Sequence, residues 1–161
     1  MSYRKFSTYT WQDKRFEKLE PIERYLFIYL WTNDICNQAG MYEITLRRIQ
    51  FDTKVSPRDL EGALKVLAPM VEYDTMKEVV WIKSFLKNQC QNKDFARSAI
   101  NYVMARHPEN LQAFININKK LFLKYDLLAE INKKLAGKEH QGGLVLGSYP
   151  TEQNRTEQNR N

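Results

Sequence analysis

Arg58, Glu61, Gly62 and Lys65 fall at i, i+3, i+4 and i+7 of "SPRDLEGALKVL", so a helix there would carry all four on one face. Residues of these types on one face suit the reading of nucleic acid. Arginine and lysine reach phosphates or the acceptor edge of guanine, glutamate accepts from the cytosine amino group, and a glycine lets backbones approach closely. The competing reading is a solvated face on which Glu61 and Lys65 form an i,i+4 pair. Ser56, at the start of the same segment, joins the DNA-binding set. Arg47, Arg48 and Lys54 lie just upstream and suit phosphate contacts, or equally ordinary solubilising charge. Lys77 and Lys83 lie downstream in a segment of β character and complete the set.

Chemistry of other kinds has little to work with. His107 and His140 are far apart in sequence, and neither has metal-ligand spacing. No Cys/His cluster, glycine-rich phosphate loop, Walker-type lysine or G-x-S-x-G elbow occurs. The carboxylates are scattered among lysines and arginines. We therefore expect no enzyme, no catalytic residue, no metal and no cofactor. His107, before Pro108, is expected to end a helix near the negative pole of its dipole. The two cysteines, Cys36 and Cys90, are widely spaced and suggest a reduced, cytoplasmic protein. The opening "MSYRKFSTYTWQDK" has no apolar signal-peptide run, and no stretch approaches the ~18 apolar residues of a membrane span. The net charge of +6 and pI near 9.3 favour a polyanionic partner. Residues 93–138 hold nine lysines and arginines against four carboxylates, so most of the excess lies past the midpoint.

The elements that would position these residues follow from periodicity and capping. "EPIERYLFIYLWTND" begins with Glu20 and Pro21 and places Ile22, Tyr25, Leu26, Ile28, Tyr29 and Leu30 on a broad apolar face, which predicts a helix. "AGMYEIT" predicts a glycine release and a short strand. "TLRRIQFDT" predicts a short helix capped by Thr45, with Leu46 and Ile49 inward and Arg47 and Arg48 outward. In "KVSPRDLEGALKVLAPM", Ser56 is the cap, Pro57 the first helical residue, and Leu60, Ala63, Leu64 and Leu67 fill the buried face. "VEYD" and "EVVWIKSF" flank a turn near Thr75–Lys77, which predicts a hairpin. Trp11, Trp31 and Trp81 are expected in the core.

Helix, strand, two short helices and hairpin, in that order, predict a fold that is mainly α with a small β-hairpin sheet. The expected architecture is a winged helix-turn-helix followed by carboxy-terminal helices. The second helix of the pair would enter the major groove, the hairpin would touch the flanking backbone or minor groove, and the early strand would become the third of the sheet. Beyond Asn92, "DFARSAINYVMARH" predicts a helix with Phe95, Ala99, Tyr102 and Val103 on one side. "PENLQAFININKKLFLKYDLLAEINKKLAG" predicts one long helix or two, with a stripe of Leu121, Tyr125, Leu128, Ile131 and Leu135 and a stop at Gly137. "FININ" also has strand character.

Three segments together carry a resemblance: "YRKFSTYTWQDKRFEKLEPIERYLFIYLWTN", "AGMYEITLRRIQFDTKVSPRDLEGALKVL" and "VEYDTMKEVVWIKSFLKNQ". Over about residues 3–92 they resemble the amino-terminal domain of phage and prophage replication initiation proteins. These are the replisome organisers, related in organisation to DnaD-like helicase loaders and lambdoid O proteins. The resemblance implies a winged helix that recognises a replication origin in double-stranded DNA, with recognition helix 56–68 and wing 71–85. It also implies a further region that oligomerises, as a homodimer or larger assembly, or that recruits the replicative helicase or its loader. Residues 93–137 carry no recognisable helicase-loading pattern.

The expected organisation is a DNA-binding domain over 1–92, a helical extension over 93–137 and a disordered tail over 138–161. The extension is an oligomerisation or partner-binding arm, or a second nucleic-acid surface. Two other functions stay open: a winged-helix adaptor that binds protein, and a transcriptional repressor of the same fold. The tail holds "TEQNR" twice, Thr151–Arg155 and Thr156–Arg160. In the lambdoid genes to which the resemblance points, the origin lies as tandem repeats inside the initiator's own gene. The repeat is expected to be the translated trace of such DNA repeats, or of slippage at them, or else a drifting low-complexity tail.

Overall fold

The structure, a computed structural model, describes residues 4–139. It is mostly helical with one small antiparallel sheet. Two units are present, the first ending at Leu128 and the second beginning at Ala129.

Helix α1 (Lys14–Glu17) is started by Asp13, whose carboxylate accepts from the Arg15 backbone N–H at 2.9 Å. Helix α2 (Pro21–Thr32) opens with the proline at its first position and a capping box, in which the Glu23 carboxylate accepts from the Glu20 N–H at 2.8 Å. It buries Leu26, Phe27, Leu30 and Trp31. Their period of 3.6 matches the predicted stripe, turned so that Phe27 and Trp31 point inward while Tyr25 stays exposed. Trp31 and Phe27 join Phe6, Phe16 and Phe85 in an aromatic cluster with ring centroids 5.0 to 6.5 Å apart. Trp11 is not in the core as expected. Its ring stands edge-on against Phe16 at 5.2 Å, outside a cluster already filled by five other rings, and it remains 56% exposed.

Strand β1 (Met41–Glu43) follows Gly40, whose φ is +66°. A Cβ at this position would lie 2.3 Å from the Cβ of Phe85, so both the backbone and the packing require glycine. Helix α3 (Leu46–Thr53) is capped by Thr45, whose hydroxyl accepts from the Arg48 N–H at 3.0 Å. Helix α4 (Pro57–Leu67) is capped by Ser56, whose Oγ accepts from the Asp59 N–H at 3.2 Å. Leu60, Ala63 and Leu67 are buried and Leu64 is half-buried.

Strands β2 (Val71–Asp74) and β3 (Val79–Ile82) form the hairpin, and the sheet order is β1-β3-β2, antiparallel throughout. Met41 faces Trp81 across β1 and β3, and Val71 faces Ile82 across β2 and β3. The predicted third strand is thus present. The outgoing strand stops at Ile82 rather than Phe85, and Lys83 lies just past it. Phe85 instead opens helix α5 (Phe85–Gln89), because its ring packs on Trp31.

Strand β3 is buried on both faces. Val80 and Ile82 belong to the core shared with α2, α3 and α4. Trp81 points the other way, and its ring lies 6.2 Å from that of Phe114. Phe114 belongs to helix α7 (Leu111–Lys124), which follows helix α6 (Lys93–Arg106). The continuous apolar run "VVWI" therefore comes from a strand covered by helices on both sides. The compact unit continues past Asn92, where the sequence placed a junction, and includes α6 and α7. "FININ" is helical, inside α7. The long segment after Pro108 is two helices, separated at Asp126 with φ +52°. The second unit contains most of helix α8 (Leu128–Glu139), which runs through Gly137 instead of stopping there. Lys138 and Glu139, expected in the disordered tail, are helical. Residues 140–161, with the TEQNR repeat and His140, lie outside the described residues.

Candidate nucleic-acid interface

Helices α3 and α4 are joined by Lys54, Val55 and Ser56. Lys54 takes a left-handed conformation, φ +59°, which ends α3. The Thr53 hydroxyl donates to the Ile49 carbonyl at 2.6 Å and accepts from the Val55 N–H at 3.3 Å, and Val55 is buried. These contacts fix the angle between the helices, and so fix where Arg47, Lys54, Ser56 and Arg58 stand. All four are exposed.

The expected contact residues differ in how far they are already engaged. The Arg48 Nε donates to Asp52 at 2.7 Å, and Arg48 also lies 3.8 Å from Asp34. Asp52 accepts in addition from the Tyr29 hydroxyl at 2.7 Å. Hydrogen bonds from Arg48 and then Tyr29 hold the Asp52 carboxyl below the usual carboxylate range. Asp52 thus ties α3 to α2 through Tyr29, and Arg48 is largely occupied. Arg47 and Arg58 make no ion pair among the described residues.

On α4, Lys65 donates to Glu61 at 2.8 Å, the i,i+4 pair that the solvated reading anticipates. Both side chains are more than two-thirds exposed, so salt screens the pair and it opens readily. The Ser56 hydroxyl donates to the Asp59 carboxylate at 2.7 Å, so Ser56 is occupied as a helix cap. The outer face of α4, with Arg58 and Lys65 against Asp59 and Glu61, carries no net charge. Gly62 is open, with nothing near an added Cβ.

The hairpin lysines are turned toward the protein. Lys77 donates to Glu109 at 2.6 Å, bridging the hairpin tip to the 3-10 turn Pro108–Asn110. This hydrogen bond raises the Lys77 pKa and lowers that of Glu109. Lys83 lies 3.5 Å from Glu72 and 3.4 Å from the Ala68 carbonyl. Asp74 builds the tip by accepting from the Met76 and Lys77 N–H groups at 2.9 and 3.0 Å, which leaves Met76 fully in solvent. His107 ends α6 as predicted, but it is 2% exposed, and its Nε2 has no hydrogen-bond partner. Desolvation lowers its pKa, so it sits at the helix end as a neutral ring beside Tyr102 and not as a cation.

Neither a protein-family model, nor a curated protein, nor a solved structure matches the chain.

The uncommitted positive charge of this region therefore lies on α3, in the turn and at the start of α4: Arg47, Lys54 and Arg58. One residue there escaped the sequence reading. Phe51, four residues after Arg47, is 68% exposed, and the Lys54 ammonium sits 4.3 Å from its ring centroid. The signal was available in "TLRRIQFDT", since Phe51 is off the 46, 49, 53 face at helical spacing. Among the described residues no helix is long and apolar enough to cross a membrane.

Proposed function

We propose that this chain is a DNA-binding replication initiation protein of the phage and prophage type, built on a winged helix. It is not an enzyme. In this reading α4 enters the major groove, α3 and the turn hold phosphates through Arg47 and Lys54, and the β2–β3 hairpin is the wing. Arg58 and Lys65 read bases or phosphates at the front of α4, Lys65 exchanging Glu61 for DNA. The observation that carries the reading is the α3–α4 pair, joined by three residues and backed by a three-stranded antiparallel sheet, with exposed unpaired cations on its outer side. Helix α7 braces the back of the sheet through Phe114 on Trp81. Ile117 and Leu123, exposed on α7, are where a second copy, the replicative helicase or its loader would dock.

A duplex encoding residues 151–160 and a scrambled duplex of equal composition test this reading. Preference for the first, with binding that falls steeply as salt rises, supports an initiator that binds its own gene. Arg58→Ala with Lys65→Ala should abolish that preference with the melting temperature unchanged. Binding neither duplex refutes the proposal. A second reading, a winged-helix adaptor for protein, draws on the neutral outer face of α4 and its exposed Val66. It predicts binding of neither duplex and a stable complex with another protein.

A further inference from the structure

Phe51 is a large ring held open to solvent on a helix whose other apolar residues already face the core. Ile49 and Thr53 are buried, and Leu46 is half-buried against the same core. No rotation of α3 could bury Phe51 without exposing them. The ring is also flanked by cations. Arg47, one helical turn before it, is exposed and unpaired, and Lys54 covers it at 4.3 Å. The nearest carboxylate on the helix, Asp52, points toward Tyr29 and Arg48 and is occupied by both. An exposed aromatic ring with cations on either side, and the local acid withdrawn, is the arrangement that stacks a base while neutralising the phosphates beside it.

We propose that the Arg47–Phe51–Lys54 face of α3 binds unpaired bases of a single-stranded polynucleotide. Phe51 stacks on a base, and Arg47 and Lys54 hold the adjoining phosphates. This surface shares Arg47 and Lys54 with the duplex reading but adds Phe51, and it stands whether or not α4 reads a duplex. A protein partner fits less well. An apolar contact would have to desolvate Arg47 and Lys54 with no acid supplied from this side, whereas a polynucleotide brings a negative charge with every base.

The test is fluorescence anisotropy with the full chain, using a labelled oligothymidylate of about 15 nucleotides and, in parallel, a duplex. Phe51→Ala should weaken the oligothymidylate roughly 5- to 150-fold, the worth of one stacked base, and leave duplex binding within about 2-fold. Phe51→Tyr should retain binding of the single strand. Arg47→Gln with Lys54→Gln should flatten its salt dependence, an independent check should the alanine variant fold poorly. Failure to bind oligothymidylate, equal binding by wild type and Phe51→Ala, or equal losses in the alanine and tyrosine variants would each overturn the proposal. So would a Phe51-dependent dimer seen by sedimentation with single-strand binding unchanged, which would give the patch to a second copy. A chain that binds the single strand but no duplex would keep this proposal and sink the major-groove reading.

Discussion

Replacing Phe114 with alanine strikes the contact that joins the helices beyond Asn92 to the sheet. Phe114 is fully buried, against Trp81 at 6.2 Å and Phe122 at 6.2 Å. Both neighbours are large rings that are themselves buried, so the cavity cannot collapse far, and the loss should be about 3–5 kcal/mol. Residues 4–128 form one unit. Its unfolding entropy, at ~2.1 cal/mol/K per residue, is on the order of 0.26 kcal/mol/K. A loss of about 4 kcal/mol then lowers the melting temperature by roughly 15 °C. Since such a domain has only ~5–15 kcal/mol in total, the variant should be only marginally folded at 37 °C, about body temperature. Urea unfolding followed by circular dichroism and by tryptophan fluorescence should give a single coincident transition in both proteins, displaced in the variant. A change below ~1 kcal/mol would refute the packing of α7 on the sheet. So would an early loss of helix while the tryptophan signal persists, because α6 and α7 would then be a separate appendage.

Gly40→Ala should cost at least ~2 kcal/mol, since it adds a left-handed φ to a clash with Phe85, and a melt showing less would contradict the turn before β1. His107 is held neutral by burial, so its folded pKa lies below the unfolded value near 6.5. The unfolded chain therefore binds the proton first as pH falls. Stability should be complete above about pH 6.5 and decline below it toward the folded pKa, and His107→Gln should flatten that decline in pH-dependent melts. The groups facing the ring are Tyr102, Glu109, Glu43, Lys77 and Arg106, and an unchanged profile would assign the decline to the carboxylates. Glu109→Gln releases Lys77 at the hairpin tip. It should leave the melting temperature essentially unchanged and tighten duplex binding at low salt, and equal affinities would remove Lys77 from the wing contacts.

Capping made the start of each of the two helices α2 and α4 legible, because Glu20-Pro21 and Ser56-Pro57 satisfy or avoid the free amides locally. The switch to period 2 made the hairpin legible for the same reason: local rules decide it. What stayed hidden depends on neighbours distant in sequence. "VVWI" indicates a buried strand, but not that its second face is covered by a ring from α7. Trp11 has the composition of a core residue and is left outside because five other aromatic rings fill the space. The break at Asp126 has no glycine or proline to announce it. The end of the strand at Ile82 reflects the packing of Phe85 on Trp31. In the candidate interface, the cations were legible as types, but which of them are engaged was not. Arg48, Lys77 and Lys83 find carboxylates brought close by the fold, while Arg47, Lys54 and Arg58 do not.

The most direct measurement is the salt dependence of duplex binding. If Arg47, Lys54, Arg58 and Lys65 each neutralise one phosphate, log K should fall against log salt with a slope of about −3.6, some 150-fold between about 50 and 200 mM. Arg47→Ala with Arg58→Ala should bring the slope to about −1.8 without altering the melting temperature. An unchanged slope in that variant, or no duplex binding at low salt, would contradict a duplex interface on the α3–α4 pair.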